Sequence, residues 1–274
     1  MRGIGFILEW DRYPVVTDNR NMIMTQNAAS VTSTGLSVRQ ELAATFRILA
    51  HFRMTDLIHT HASARIKDRD GALLINRYNL LFDEVTASNL IEIDEAGVPF
   101  PEYQDADIND AGCNIHSAIH EAMPGIGFVI HTHTRAGAAV SAQKHGLLPI
   151  SQQAMMFDGA VGYHEFEGFV LSHEERGRLV ADLADNKVLI LRNHGLIAVG
   201  NNAAEALNRI YNLERACEIQ VAALAGNPEL VTPPMDIQNR MGRQAVTPKQ
   251  LHIEKMGWDA CLRMIDRQDI SYLL

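Results

Sequence analysis

Short apolar runs that alternate with longer helical patterns constrain the fold of this chain more than any other feature. Residues 127–133 and 188–192 contain short runs of Val, Ile, Leu or Phe bounded by polar residues, and they are too short for ordinary helices, so they predict buried strands. Residues 203–225 carry apolar side chains on one stripe at helical spacing, which predicts a long amphipathic helix. The alternation predicts an α/β fold with a central mixed sheet covered by helices.

Smaller signals predict the elements between these runs. Ser37, followed three residues later by Gln40, predicts a capping box at the start of a helix. Leu57-Ile58 predicts the beginning of a strand, and Asp70-Gly71 predicts the hairpin turn that follows it. In the tail, Pro248 at a first helical position predicts one more helix.

The chain has 274 residues, a length that suits one domain with appendages. No internal repeat, low-complexity tract or linker divides it. We therefore expect a single domain over residues 1–274, with an N-terminal arm (1–36), a core (37–226) and a C-terminal tail (227–274).

The composition excludes several classes of partner. A formal net charge of −9 gives no electrostatic basis for binding nucleic acid. No apolar run approaches the roughly 20 residues that a membrane span needs, so we expect no membrane association. Three cysteines, far apart and odd in number, argue against a disulfide framework and favour a reducing cytoplasm.

Histidines at strand ends predict a metal site. His131 and His133 close an apolar run, and side chains two apart in a strand point the same way, so their imidazoles could chelate one ion. His194 ends the next buried run and is followed by Gly195, which allows a sharp turn. If the two strands are neighbours, three imidazoles converge, which is the ligand pattern of a catalytic metal. A bare His-x-His pair is, however, more often an ordinary polar pair at a strand end.

Several short blocks occur in the order and with the gaps of the class II aldolase/adducin family. The resemblance spans roughly residues 37–226 and lies in His131-Thr132-His133, Asn193-His194-Gly195-Leu196, Thr86 to Leu90, Ile115 to His120, and Glu214. It implies a three-layer α/β/α fold, a divalent metal held by His131, His133 and His194, and a homotetramer with active sites between subunits.

The chain departs from that family at the position of the catalytic base. The sugar-phosphate aldolases of the family carry a Glu four residues before the position of His116, and this chain has Gly112 there. Asp110 is the nearest acid, but a two-residue step turns it about 200° around a helix axis. The stretches 60–63 and 76–79 also lack the Gly-Asn and Thr-Gly pairs with which those aldolases let the backbone approach a phosphate.

These departures favour chemistry that needs no carboxylate base at position 112. The resemblance extends to members that decarboxylate hydroxylated aromatic or pyridine carboxylates, since loss of carbon dioxide creates a carbanion without proton abstraction. We therefore expect a metal-dependent decarboxylase using Mn²⁺ or Zn²⁺, with Fe²⁺ or Co²⁺ as further candidates. The alternatives are a retro-aldolase acting on an unphosphorylated hydroxy acid or sugar acid, and a non-catalytic, adducin-like assembly module.

Other residues are candidates for roles around the ion, each weighed against a purely structural role. His116 and His164 are the candidate proton donors, and His120 lies one turn beyond His116. A small carboxylate substrate calls for cations and hydrogen-bond donors, so the candidate substrate-binding residues are Ser63, Arg77, Asn79, Arg135 and Arg192. Tyr272 in the tail is a candidate to reach the site of a neighbouring subunit.

Overall fold

The computed structural model describes residues 35–168 and 173–274. The N-terminal arm expected over residues 1–36 lies almost wholly outside the described residues, so it stays a prediction. Within the described ranges, no helix combines the length and the apolar character needed to cross a lipid bilayer.

A mixed sheet of seven strands forms the centre of the described structure. The strands are β1 (His61–Arg65), β2 (Leu73–Ile75), β3 (Ile91–Ile93), β4 (Phe128–Thr132), β5 (Val161–His164), β6 (Val188–Leu191) and β7 (Gly195–Gly200). Their spatial order is β3-β2-β1-β4-β7-β6-β5. Among these strands, β5 and β6 pair in parallel and the other neighbours are antiparallel.

Helices cover the sheet on both sides. The described residues form α1 (Val38–His51), α2 (Asp110–Ala122), α3 (Arg135–Ser141), α4 (Gln152–Met155), α5 (His173–Leu183), α6 (Ala203–Leu224), α7 (Met235–Gln244) and α8 (Pro248–Asp266). Short 3₁₀ turns lie at Phe82–Glu84, Pro101–Tyr103 and Ser271–Leu273.

Strand side chains alternate between two helical layers, as a period of two requires. On one side, Ile130 and Ala198 pack in the main core together with residues of α1, α3, α6 and α8. On the other side, Val129 and Ile197 pack against α2 and α5. The expected three-layer α/β/α fold is therefore confirmed, and His131 falls on the α2 side because it follows Val129 by two residues.

Several local predictions are confirmed. Ser37 caps α1 in a reciprocal capping box with Gln40. Thr247 caps α8, and Pro248 occupies its first turn. The hairpin at Asp70-Gly71 joins β1 to β2, and Gly71 adopts a φ of 69° that favours glycine.

The prediction that a strand begins at Leu57-Ile58 is wrong. Leu57 lies in a turn with a φ of 48°, and 68% of its surface is exposed. The buried strand starts only at His61 and reads His-Ala-Ser-Ala-Arg. Small and polar residues fill this strand because α1 and α2 pack closely over its two faces, so its hydrophobic signal is weak.

Three elements were missed: β5, the four-residue helix α4, and α7. Strand β5 is four residues long and contains a glycine, which hides it from a periodicity test. The tail was expected to hold one helix, but it holds α7 as well as α8. Helix α7 is short and buries only Gln238 among its ten residues, so it contributes no apolar residue to the core.

The tail packs against its own chain. Trp258, Leu262 and Ile265 of α8 enter the main core. Tyr272 is 1% exposed, and its hydroxyl donates a hydrogen bond to Asp266 Oδ1 at 2.6 Å. The suggestion that Tyr272 reaches a neighbouring subunit is therefore wrong, because its own core encloses the ring.

Candidate metal centre

Three histidine side chains meet where β4 ends and β7 begins; we call His131, His133 and His194 the ion triad. Nε2 of His133 lies 2.8 Å from Nε2 of His131 and 2.8 Å from Nε2 of His194. The three ligand atoms all lie within 4.8 Å of one another. Three imidazole nitrogens that face one point are a donor set for a divalent metal with an open coordination position, so these residues fit such an ion.

The backbone assembles the triad in a way that differs from expectation. Strand β7 lies between β4 and β6, so the two predicted histidine-bearing strands are not direct neighbours. His194 reaches the triad because it occupies the tight turn between β6 and β7, where Asn193 adopts a φ of 55°. A side chain at Gly195 would collide with the backbone oxygen of Thr132, so glycine lets this turn approach β4.

Two acceptors orient the triad from outside. Nδ1–H of His131 donates to the backbone oxygen of Leu196 at 3.0 Å, and Nδ1–H of His133 donates to Asp56 Oδ2 at 3.1 Å. Each bond fixes the tautomer in which Nε2 keeps its lone pair for the ion. Sequence reasoning missed Asp56, since nothing in its neighbourhood distinguishes it from an ordinary turn residue.

The triad is uncharged at neutral pH. Burial lowers the pKa of His131 well below its ordinary value, and His61 and His194 reinforce the effect. Burial, and then the proximity of His133, lowers the pKa of His194 to about 4. Burial also lowers the pKa of His133, although its hydrogen bond to Asp56 opposes the shift. Neutral imidazole is the form that binds a metal.

A second group of polar side chains lies between α2 and β1. We call these residues, His61, Ser63, His116 and His120, the α2 cluster. Nδ1 of His61 lies 2.8 Å from Nε2 of His116. Ser63 Oγ lies 2.5 Å from Nδ1 of His116 and 2.8 Å from Nε2 of His120. Each of the four is at most 4% exposed, and burial is the main cause that lowers the pKa of both His116 and His120 to about 3.

The α2 cluster touches the ion triad through His61. His61 and His131 are paired residues of β1 and β4, and their ring centroids lie 5.0 Å apart. The candidate donor His116 and the candidate substrate ligand Ser63 therefore lie behind His61 and are fully enclosed. Sequence reasoning missed His61 because it placed the start of the strand at Leu57-Ile58 and not at His61. The alternation of His61 and Ser63 within β1 was the signal that could have found it.

His164, the other candidate donor, closes the missed strand β5 and is 4% exposed. Its Nδ1–H donates to Asp182 Oδ2 at 2.7 Å, and Glu175 Oε1 lies 3.6 Å from its Nε2. His164 is therefore a buried strand residue and not an exposed loop residue. A small cavity brings His164 together with His194 and Arg192.

The candidate substrate-binding cations occupy different surroundings. Arg192 lines the cavity beside His194, donates to the backbone oxygen of Gln143 at 2.8 Å, and stacks on Tyr163. Arg135 is exposed at the start of α3, two residues after His133.

The remaining candidates take part in holding loops together. Arg77 donates to the backbone oxygen of Asn89 at 3.2 Å, and Asn79 donates to Asp107 Oδ2 at 2.9 Å. Asp110, the acid nearest to position 112, is exposed in the first turn of α2.

Comparisons with known proteins find similarity to class II aldolases and adducins. The profile of the class II aldolase and adducin N-terminal domain matches residues 40–221. A Pseudomonas aeruginosa protein whose name places it among the class 2 aldolases is 40% identical over 247 residues, covering 89% of this chain and 95% of its own. Rat alpha-adducin is 38% identical over 84% of this chain, a match that covers 33% of the adducin. The crystal structure of an aldolase II superfamily protein from Pseudomonas syringae superposes with a TM-score of 0.80 at 48% identity, covering 86% and 94% of the two chains.

Proposed function

The chain belongs to the class II aldolase and adducin family, and from that premise we propose that it is a metal-dependent carbon–carbon lyase, a decarboxylase of a small hydroxylated aromatic or pyridine carboxylate. The observation that carries the proposal is the ion triad, in which three neutral imidazoles direct Nε2 toward one point. Two outward hydrogen bonds hold this arrangement before any ligand arrives. A protein that only assembled with partners would gain nothing from such preorganisation.

His131, His133 and His194 would hold Mn²⁺ or Zn²⁺, with Fe²⁺ or Co²⁺ as alternatives. The ion would polarise a substrate oxygen and so stabilise the negative charge that develops as the C–C bond breaks. The substrate carboxylate leaves as carbon dioxide, and the ring carbon takes up one proton.

The chain's own residues bind the substrate and supply that proton. Arg192, on the cavity beside His194, is positioned to pair with a substrate carboxylate, and exposed Arg135 is a second candidate. His164 lines the same cavity and is held by Asp182, which suits a proton donor at the ring carbon. His116 can take part only through His61, because α2 and β1 enclose it.

The surroundings of α2 support decarboxylation over aldol chemistry. Aldol cleavage needs a base near the ion to remove a hydroxyl proton, and α2 has glycine at position 112. Asp110 is exposed in the first turn of that helix. Loss of carbon dioxide needs no such base, since the bond broken already carries the electron pair to the ring.

Two other functions remain in competition. Retro-aldol cleavage of an unphosphorylated hydroxy acid draws support from the name of the Pseudomonas aeruginosa relative. An adducin-like assembly role draws support from the similarity to rat alpha-adducin. An aldehyde product would decide for the first, and failure to bind any divalent ion would decide for the second.

We also propose that the protein works in the cytoplasm as a homotetramer with its sites between subunits. The three cysteines are free, which suits a reducing compartment. Large apolar side chains of the tail are exposed, among them Val231 at 90%, Met235 at 64% and Leu274 at 69%, and such residues suit contacts with other copies.

The test is carbon dioxide release from a panel of ortho-hydroxy aromatic and pyridine carboxylates, with protein loaded with Mn²⁺ or Zn²⁺. His131→Ala removes a ligand, and His252→Ala replaces an exposed histidine of α8 as the matched control. We expect release that His252→Ala retains and His131→Ala loses. No release from any compound, with the ion bound stoichiometrically, would exclude the decarboxylase and leave aldol cleavage as the next reaction to assay.

A further inference from the structure

Helix α2 passes over β1 with no room for a side chain at position 112. A Cβ atom built on Gly112 would lie 2.5 Å from Cδ2 and 2.6 Å from Nε2 of the His61 imidazole. Real Cβ atoms do not approach other atoms so closely. A residue other than glycine at position 112 therefore requires the His61 ring to move.

Its neighbours hold the His61 ring in this position. Its Nδ1 is hydrogen-bonded to His116, which is itself tied to Ser63. Its ring lies 5.0 Å, centroid to centroid, from its strand partner His131. The side chain is buried, so rotation outward would expose it and leave His116 without its partner.

We propose that His61 and a side chain at position 112 are mutually exclusive occupants of one wall of the ion site, which makes His61 a specificity-determining residue. With His61 in place, α2 cannot present a carboxylate there, and the wall consists of an imidazole edge beside His131. This inference rests on the proposed function for the identity of the reaction. The steric part of the proposal, that the two positions exclude each other, depends only on the geometry of His61 and Gly112.

The chemical consequence follows from what each occupant can do. A carboxylate at position 112 could take the hydroxyl proton of a β-hydroxy acid. The bond between the α and β carbons then breaks, the β carbon leaves as an aldehyde, and the electron pair stays on the α carbon. The new carboxylic acid at position 112 returns the proton to that carbon, so the step needs no co-reactant. His61 blocks this route and leaves reactions that lose carbon dioxide.

The steric part is tested by thermal unfolding of the metal-free protein in a double-mutant cycle of Gly112→Ala and His61→Ala. We expect Gly112→Ala to lower Tm by about 5 °C or more in the presence of His61, as overpacking of a tight site does. In the His61→Ala background the same change should leave Tm unaltered or raise it. Gly257→Ala is the matched control, because its Cβ would meet nothing within 4 Å on helix α8, and it should not lower Tm. The proposal fails if Gly112→Ala lowers Tm equally in both backgrounds, or if it lowers Tm no more than Gly257→Ala does.

The specificity part is tested with the double variant His61→Ala/Gly112→Glu, loaded with Mn²⁺ and assayed on ortho-hydroxy carboxylates and on β-hydroxy acids. We expect the ratio of aldehyde release to carbon dioxide release to rise at least tenfold over the parent, and Gly112→Glu alone to produce no such rise. An unchanged ratio in a folded, metal-loaded double variant would reduce His61 to a packing role. If the parent releases neither product, the proposed function fails, and the unfolding cycle still decides whether the two positions exclude each other.

Discussion

The ion triad and the α2 cluster are both built from histidines, yet they differ in where their hydrogen bonds go. The triad turns one nitrogen of His131 and one of His133 outward, to Leu196 and Asp56, and leaves the Nε2 atoms facing each other. The side chains of the α2 cluster bond to one another through Ser63 and His116, and Nδ1 of His120 takes no part in these bonds. The ion triad therefore keeps its Nε2 lone pairs free for a ligand, whereas the α2 cluster uses most of its nitrogens in internal hydrogen bonds.

This difference teaches how to separate a binding site from a polar core when both contain the same residue type. Free, converging lone pairs are costly unless an ion satisfies them, so they indicate binding. A network whose side chains bond mainly to one another indicates support or positioning. The two groups should therefore respond differently to mutation.

The largest expected effect separates the groups by metal affinity. His133→Ala removes the nitrogen that lies 2.8 Å from both other ligand atoms, and we expect affinity for Zn²⁺ or Mn²⁺ to fall by more than about 100-fold, beyond the loss that follows removal of an orienting group. His120→Gln, in the α2 cluster, should change the affinity by less than about threefold. Isothermal titration calorimetry on both variants measures this. Equal losses would show that the two groups form one site.

The next effect is acid destabilisation of the metal-free protein, to which the α2 cluster should contribute. The pKa values of His116 and His120 are lowered to about 3 in the folded protein, so the unfolded chain binds more protons than the folded one between about pH 6.5 and pH 3. Stability is therefore full above pH 6.5 and falls as the pH drops through this window, by up to about 1.4 kcal/mol per pH unit for each histidine.

The measurement is the free energy of unfolding of the metal-free protein from pH 7 to pH 4. His120→Gln keeps a polar side chain without the titration, so its curve should be flatter than that of the parent. Exposed His252→Gln is the control and should leave the slope unchanged. A parallel curve for His120→Gln would mean that the acid response arises elsewhere.

A smaller effect tests the outward bonds of the triad. Asp56→Asn weakens the acceptor for His133 Nδ1–H while keeping its shape, and we expect metal affinity to fall about tenfold with little change in Tm of the metal-free protein. Competition with a chelator of known affinity gives the value. Asp105→Asn, an exposed carboxylate elsewhere, should have no effect. Unchanged affinity would show that Asp56 does not orient the ligand.

The sequence predicted the triad but not the cluster, and the reason lies in the strands that carry them. His131 closes an apolar run that any periodicity test finds, and Gly195 marks the turn after His194. Strand β1 has no such run, because α1 and α2 approach it so closely that only small or polar residues fit. The pairing of His61 with His131 depends on a long-range register that no local pattern contains.

The same contrast explains the other errors. Strand β5 is short and lies at the edge of the sheet, and α7 buries only Gln238, so neither carries a clear core-facing pattern. The capping box at Ser37 and the proline at the start of α8 were found because caps are encoded within four residues. Helix caps were predictable from neighbouring residues, whereas the contact between the polar residues of β1 and α2, which are distant in sequence, was not.

The smallest expected effect asks whether the α2 cluster stabilises the fold without contributing to the ion. Ser63→Ala removes the hydroxyl that links His116 to His120 and leaves two buried imidazole nitrogens without a partner. We expect a loss of about 1 kcal/mol, or roughly 2–4 °C in Tm, with metal affinity unchanged within about twofold. Ser88→Ala, at an exposed serine, is the matched control and should leave Tm unchanged. If Ser63→Ala instead weakens metal binding with little change in Tm, the hydrogen bonds of the cluster hold His61 against the triad, and the α2 cluster would be part of the site.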